Sequence, residues 1–256
     1  MTAVQEEGIK WTEDVKFSTR TQLINGPSFN KWVVAVAAQL GLPDEDVVLR
    51  EDNDLTLKWK TFPMEHKEPL FGGGLPFFLM GPKPTMVQRR STLDTFSGVS
   101  RGKVMFSTDV RFPVLGEYSY GEWTPWMSLA PMEVLSQRYG VKRSKGNVLV
   151  GGLGMGWLTM RVLDRKKVKN VLVIEKDKDI AKTFGPWLKK KYKGRLKIIT
   201  GDFWENLDSR DPKEFDSILV DIWQTPQERD SCRKYGDLKS NHSCVWGWGH
   251  ADSERW

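Results

Sequence analysis

The ten residues 147–156, Asn-Val-Leu-Val-Gly-Gly-Leu-Gly-Met-Gly, leave the chain few ways to fold around them. Val148, Leu149 and Val150 form a short apolar run with no helical period, the pattern of a parallel strand buried on both faces. Gly152, Gly154 and Gly156 follow at a spacing of two. Residues 155–163 then read as a helix, with Met155, Leu158, Val162 and Leu163 close to one face. A strand, a glycine turn and a helix in this order form a nucleotide-binding site. The glycines let a ligand approach the backbone without a Cβ in the way, and the helix start offers free N–H groups.

The next three strands strengthen that reading. Nineteen residues after Gly156 a second apolar strand, 171–174, ends in Glu175, where a carboxylate can accept ribose hydroxyls. A third strand, 196–200, leads into Gly201-Asp202-Phe203-Trp204, and a fourth, 217–220, leads to Asp221. Three carboxylates thus stand at the carboxyl ends of successive strands, where open α/β sheets bind ligands. With these motifs in this order, residues 147–223 resemble the cofactor half of the class I S-adenosylmethionine-dependent methyltransferases, and are most similar to its spermidine-synthase-like branch. The resemblance implies that Gly152, Gly154 and Gly156 line the methionine part of S-adenosylmethionine and that Glu175 holds the ribose. It implies that Asp202 meets the adenine amino group, with Phe203 covering the ring. The competing reading is a nicotinamide-dinucleotide site. The spacing Gly-x-Gly-x-Gly and the acid after the third strand favour S-adenosylmethionine.

The expected fold is α/β. A Rossmann-like, mostly parallel sheet flanked by helices occupies 131–256, preceded by a smaller α+β, β-rich domain over 1–130 that carries the acceptor side. The 256 residues, 39% apolar, are ample for a core. No apolar run reaches membrane-spanning length, and the first residues read as neither a signal nor a transit peptide. Cys232 and Cys244 do not make a disulfide framework and read as free thiols of a cytoplasmic protein. His66, His242 and His250 lack metal-ligand spacing with them, so no metal is expected. The net charge of +6 is uneven: residues 161–197 hold 14 basic and 4 acidic side chains, and the rest is net acidic. Nucleic acid is a possible partner of such a stretch, but the favoured reading is the solvated outer faces of two helices, away from the substrate mouth.

Residues 1–25 read as an arm with one short strand. Ser28 is the expected N-cap of a helix whose stripe is Phe29, Trp32, Val33, Val36 and Leu40, ended by Gly41 and Pro43. Segments 47–50 and 55–60 form a hairpin with one wet face. The Pro- and Gly-rich 62–85 reads as a surface loop or substrate lid. Strand signals at 103–106 and 110–114 precede the aromatic and acidic stretch 116–131, and a helix is expected over 132–139. By similarity to the spermidine-synthase-like proteins, Tyr118, Tyr120, Glu122, Trp123 and Trp126 are acceptor-site candidates, with Glu122 and Tyr120 joining Asp221 in the catalytic set. Pro186 is expected to kink or split the helix over 178–192. Residues 203–214 read as short and polar, 226–238 as a helix and 244–248 as a fifth strand.

The pattern departs from the family at two places. The chain stops eight residues after that fifth strand, where a class I methyltransferase adds a helix and an antiparallel hairpin. Either N-terminal strands cover the sheet edge so left, or a second copy in a homo-oligomer does, or the natural gene is shortened; an oligomer is the favoured expectation. Polyamine-making relatives also carry a second aspartate three residues after the first, where this chain has Gln224. The leading expectation is therefore a methyltransferase with an unidentified acceptor and Asp221 as its base. The alternatives are aminopropyl transfer from decarboxylated S-adenosylmethionine, a non-catalytic cofactor-binding protein, and a nucleic-acid methyltransferase.

Overall fold

The structure, a computed structural model, describes residues 8–12, 15, 22–52, 54–62, 104–119, 121–223 and 226–248. The expected loop or lid at 62–85 lies almost wholly outside them, as do Tyr120 and Gln224. No described helix is long and apolar enough to cross a membrane.

The N-terminal part begins with β1 (Gln22–Ile24) and α1 (Gly26–Leu40). Then come β2 (Val47–Arg50), β3 (Leu55–Phe62), β4 (Val104–Phe106), β5 (Val110–Ser119) and β6 (Glu122–Ser128). β2, β3, β5 and β6 form an antiparallel sheet in that order, while β1 pairs with β4. The apolar stripe of α1 lies on this sheet, with Phe29 and Phe112 rings 6.3 Å apart. The N-cap is Asn25, not Ser28: Asn25 Oδ1 accepts the Ser28 N–H at 2.8 Å. The expected wet face of β3 is also corrected. Thr56 is buried and Lys58 and Lys60 are half-buried, because the Trp123 ring lies across them.

The chain then alternates helix and strand: α2 (Pro131–Ser136), α3 (Arg138–Arg143), β7 (Gly146–Gly151), α4 (Trp157–Leu163), β8 (Val168–Glu175), α5 (Lys178–Lys191) and β9 (Leu196–Thr200). It continues through α6 (Phe203–Asp208), a short 3₁₀ turn, β10 (Ser217–Val220), α7 (Pro226–Ser231), α8 (Arg233–Asn241) and β11 (Val245–Gly247). Several boundaries differ from expectation. The helix over 132–139 is two helices meeting at Gln137, and 203–214 contains α6. The helix over 226–238 is likewise two, α7 and α8. α5 runs unbroken through Pro186, which stands on the exposed face, where water can serve the carbonyl left unpaired by the missing N–H.

The second sheet is parallel, in the order β11-β10-β7-β8-β9. Counted from β7, this is the 3-2-1-4-5 order of a doubly wound sheet, with its switch point between β7 and β10. Val148 and Val150 enter one core and Leu149 the other, as a strand covered on both faces requires. The first core runs without interruption across residue 130, joining Phe29, Leu57 and Phe112 to Val150, Leu158 and Phe184. Rings bridge the same boundary, with Trp32 against Trp157 at 5.6 Å. The N-terminal strands make their own sheets. Among the described residues they do not extend the β11 edge.

Candidate functional site

At the switch point the carboxyl ends of β7 and β10 touch. The Asp221 N–H donates to the Gly151 carbonyl at 2.8 Å. A Cβ on Gly152 would stand 2.1 Å from the Asp221 carbonyl oxygen, and Gly152 has φ +87°, so only glycine fits there. Gly154 is pressed by the N-terminal sheet: the Met127 Sδ would be 2.1 Å from its Cβ, and the Met155 N–H points to that sulfur at 3.1 Å. Gly156 serves differently. It is the αL N-cap of α4, which starts at Trp157 rather than 155, and it faces Leu188 and Leu40 in the core.

A cavity of about 590 Å³ opens over this turn, a size typical of small-molecule sites. Gly152, Gly154, Glu175, Asp202, Phe203, Asp221 and Trp126 all line it. Glu175 is braced by its neighbours. Its Oε2 accepts the N–H groups of Leu153 (2.6 Å) and Gly154 (3.3 Å), and its Oε1 accepts that of Asp177 (2.8 Å). A carboxylate oxygen carries two lone pairs, so Oε1 is the atom able to take one further hydroxyl. Asp202 Oδ1 caps α6 through the N–H groups of Trp204 and Glu205. Phe203 packs edge-on against Trp204 and beneath Gly151.

A second group in this cavity escapes a reading of the sequence alone. Gln137 Nε2 donates to Glu133 Oε1 and to Asp221 Oδ2, at 3.1 Å each. Gln137 is fully buried, and its Oε1 has no partner among the described protein atoms. Burial first, then the nearby Asp221 charge, drives the Glu133 carboxyl well above its usual range, against hydrogen bonds from Gln137 and Trp248. Asp221 is pushed up to about 7 by burial and by the charge of Glu175. Glu175 is raised by burial, with its three backbone donors opposing. The available signal was a Glu and a Gln one helical turn apart on a helix otherwise suited to burial.

Of the remaining described candidates Trp126 lines the cavity, and the others lie elsewhere. Glu122 and Tyr118 are exposed at the β5–β6 turn, where the Tyr118 hydroxyl donates to the Gly121 carbonyl. Trp123 is half-buried against Lys58 and Lys60 of β3, its Nε1 donating to Thr56 Oγ1 at 2.8 Å. Trp126 lines the cavity with a buried Nε1 that has no partner among the described residues. Trp204, Trp223 and Trp248 complete the aromatic wall. Arg50 of β2 clamps the rim, meeting Asp177 at 2.7 Å, Asp179 at 3.3 Å and Glu117 at 3.8 Å.

Gly152→Ala is expected to lower the melting temperature by about 4–8 °C, from a left-handed backbone and a backbone clash together worth about 2 kcal/mol. Gly194→Ala, with φ +75° and open space, is the control and is expected to lose about half as much. Equal losses in thermal unfolding would remove the special constraint on the turn.

No protein-family model matches the chain, and no curated protein does. Among solved structures it is similar to spermidine synthase from Thermotoga maritima (18% identity, 43% of each chain, TM-score 0.31). It is also similar to a dimethyladenosine transferase from Plasmodium falciparum (21% identity, 43% of this chain and 37% of that one, TM-score 0.33). A third is TYW2 from P. horikoshii in complex with MeSAdo (21% identity, 43% and 44%, TM-score 0.32). The chain spans less than half the length of each. Its own fold is Rossmann-like α/β, and the solved structures that resemble it include methyltransferases and spermidine synthases, the groups whose motifs its sequence resembles.

Proposed function

We propose that the chain is an S-adenosylmethionine-dependent methyltransferase whose acceptor is an amine. One observation carries this: a single cavity holds the glycine turn and Glu175 together with the bridged carboxylates Glu133 and Asp221. The residues fit the cofactor. The turn admits no Cβ at Gly152, and Glu175 Oε1 retains an acceptor site. Three carboxylates with raised pKa favour a ligand carrying positive charge, since a nearby cation restores their ionised forms. When bound, the cofactor supplies a sulfonium-activated methyl group. Asp221, ionised above about pH 7, takes the proton of an ammonium acceptor, and Gln137 holds that carboxylate in place. Trp126, Trp223 and Trp248 line the cavity, where aromatic side chains exclude water and suit a cation. On this reading residues 1–130 supply the acceptor wall and 131–256 the cofactor half.

Aminopropyl transfer is the second reading. Glu133 favours it, because it supplies the second carboxylate that Gln224 denies. Product analysis separates the two. Incubation with a panel of amines and both cofactor forms is expected to release S-adenosylhomocysteine. Release of methylthioadenosine from the decarboxylated form alone would replace methyl by aminopropyl transfer.

The pH dependence has a definite sign. Affinity for S-adenosylmethionine is expected to rise from pH 6 to pH 8, as Asp221 ionises through its value of about 7. The uncharged thioether of S-adenosylhomocysteine is expected to show less of this rise. Parallel slopes in calorimetric titrations would remove Asp221 from contact with the sulfonium field.

A further inference from the structure

The parallel sheet has a second edge of note, the one where its strands begin, away from the cavity at their carboxyl ends. Three segments meet there: 138–145 running into β7, 161–169 joining α4 to β8, and 189–197 joining α5 to β9. Backbone contacts hold them side by side. The Gly146 N–H donates to the Lys167 carbonyl at 2.7 Å, and Arg165 Nε to the Ser144 carbonyl at 3.2 Å. The Arg195 guanidinium reaches the carbonyls of Leu163 and Val168 at 2.9 Å each. The first segment carries four cations and no carboxylate, the second five cations and Asp164, the third six cations and no carboxylate. The single acid is engaged by the Tyr192 hydroxyl at 2.6 Å and by Arg161 at 3.3 Å. Asp211, Glu214 and Asp216 lie just ahead of β10, so the basic track runs over β7, β8 and β9. Within the track a cleft of about 210 Å³ opens between α3 and α4, lined by Arg138, Lys142, Arg161 and Arg165 and by Asp164, the acid that Tyr192 and Arg161 engage.

We infer that this edge docks the phosphate backbone of a nucleic acid, with the α3–α4 cleft seating a phosphate. Three arginines around one small cleft suit phosphate, because the planar guanidinium matches its oxygens two at a time. An anionic membrane is the less fitting partner. Surfaces that bind bilayers pair cations with apolar side chains that enter the lipid. The exposed large hydrophobic residues, among those described, are Ile9, Val34, Val48, Tyr118, Trp187 and Ile222, and none lies on the three segments. The dock is a tether rather than a reading head, since the cavity opens at the other ends of the strands. It stands whether or not the chain transfers a methyl group.

Lys142, Lys167 and Lys193 are exposed, one on each segment, and lie outside the cavity. Fluorescence anisotropy of a labelled single-stranded RNA of about twenty nucleotides, titrated with the full chain at rising KCl, tests the dock. The wild type is expected to bind at low salt and to lose affinity steeply with salt. The K142E/K167E/K193E variant is expected to bind at least about tenfold more weakly, with a salt slope shallower by about 2. The K142Q/K167Q/K193Q variant is expected to lose less, and both are expected to keep the wild-type melting temperature. Should the charge-reversed chain fail to fold, the glutamine variant carries the comparison. No binding of RNA at low salt, equal binding by folded variants, or binding of phosphatidylserine vesicles in preference to RNA would each overturn the dock.

Discussion

Asp221→Asn is expected to lower turnover by at least about a hundredfold, the usual contribution of a general base. The cofactor affinity is expected to stay within about tenfold, or roughly 1.4 kcal/mol. The substitution keeps the volume and retains an oxygen for the Gln137 amide, now 3.1 Å from Asp221 Oδ2, but removes the basic carboxylate. It also has a consequence for stability whose sign is set by the fold. Burial and the Glu175 charge raise the Asp221 carboxyl from 3.8 to about 7. The folded state therefore resists ionisation that the unfolded chain undergoes freely, and wild-type stability is lost as pH rises from about 4 to about 7. The Asn variant escapes that loss. Its melting temperature is expected to match the wild type's near pH 4 and to exceed it at pH 8, the gap opening as Asp221 ionises in the unfolded chain. Turnover that survives in the variant, measured on any amine the product screen identifies, would show that another group takes the proton.

Glu175→Ala is expected to abolish cofactor binding, with affinity falling more than about a hundredfold, or roughly 2.7 kcal/mol. Two losses combine. The ribose acceptor at Oε1 disappears, and the N–H groups of Leu153, Gly154 and Asp177 lose the carboxylate that orders the turn. A buried donor left without a partner costs about 1–3 kcal/mol, so the turn is expected to loosen as well. Glu175→Gln separates the two, because its amide keeps one acceptor oxygen and the side chain's shape. Its NH2 group necessarily faces either the Asp177 N–H or those of Leu153 and Gly154, so it is expected to lose less stability than the alanine variant and still bind more weakly. Near-normal binding by the alanine variant would remove the ribose assignment.

The parts of the site legible in the sequence are those set by local chain chemistry. A strand, its glycine turn and an acid just past the strand end lie within a few residues of one another, so Gly152, Gly154, Glu175, Asp202 and Asp221 could be read in order. The parallel sheet was legible in apolar runs too short and too uniform for amphipathic helices. What escaped depends on tertiary context. Glu133 and Gln137 look like solvent-facing residues of a short helix until the packing of α2 and α3 buries them beside Asp221. Glu122 and Trp123 sit among aromatic neighbours that suggested an acceptor wall. The β5–β6 register sends Trp126 and Met127 to the cavity, Glu122 to solvent and Trp123 against Thr56, Lys58 and Lys60 of β3. Asn25 displaced Ser28 as the N-cap because the helix begins at Gly26, a choice that either side chain could have made.

The measurement that bears most directly on the central claim is calorimetric titration of the purified chain with S-adenosylmethionine, S-adenosylhomocysteine and decarboxylated S-adenosylmethionine in parallel. The expected result is binding of the first two with Kd below about 100 μM, near −5.5 kcal/mol, and weaker binding of the third. Preference for the decarboxylated form would move the assignment to aminopropyl transfer. Binding of none of the three would contradict the account and leave the glycine turn a structural feature of the sheet alone.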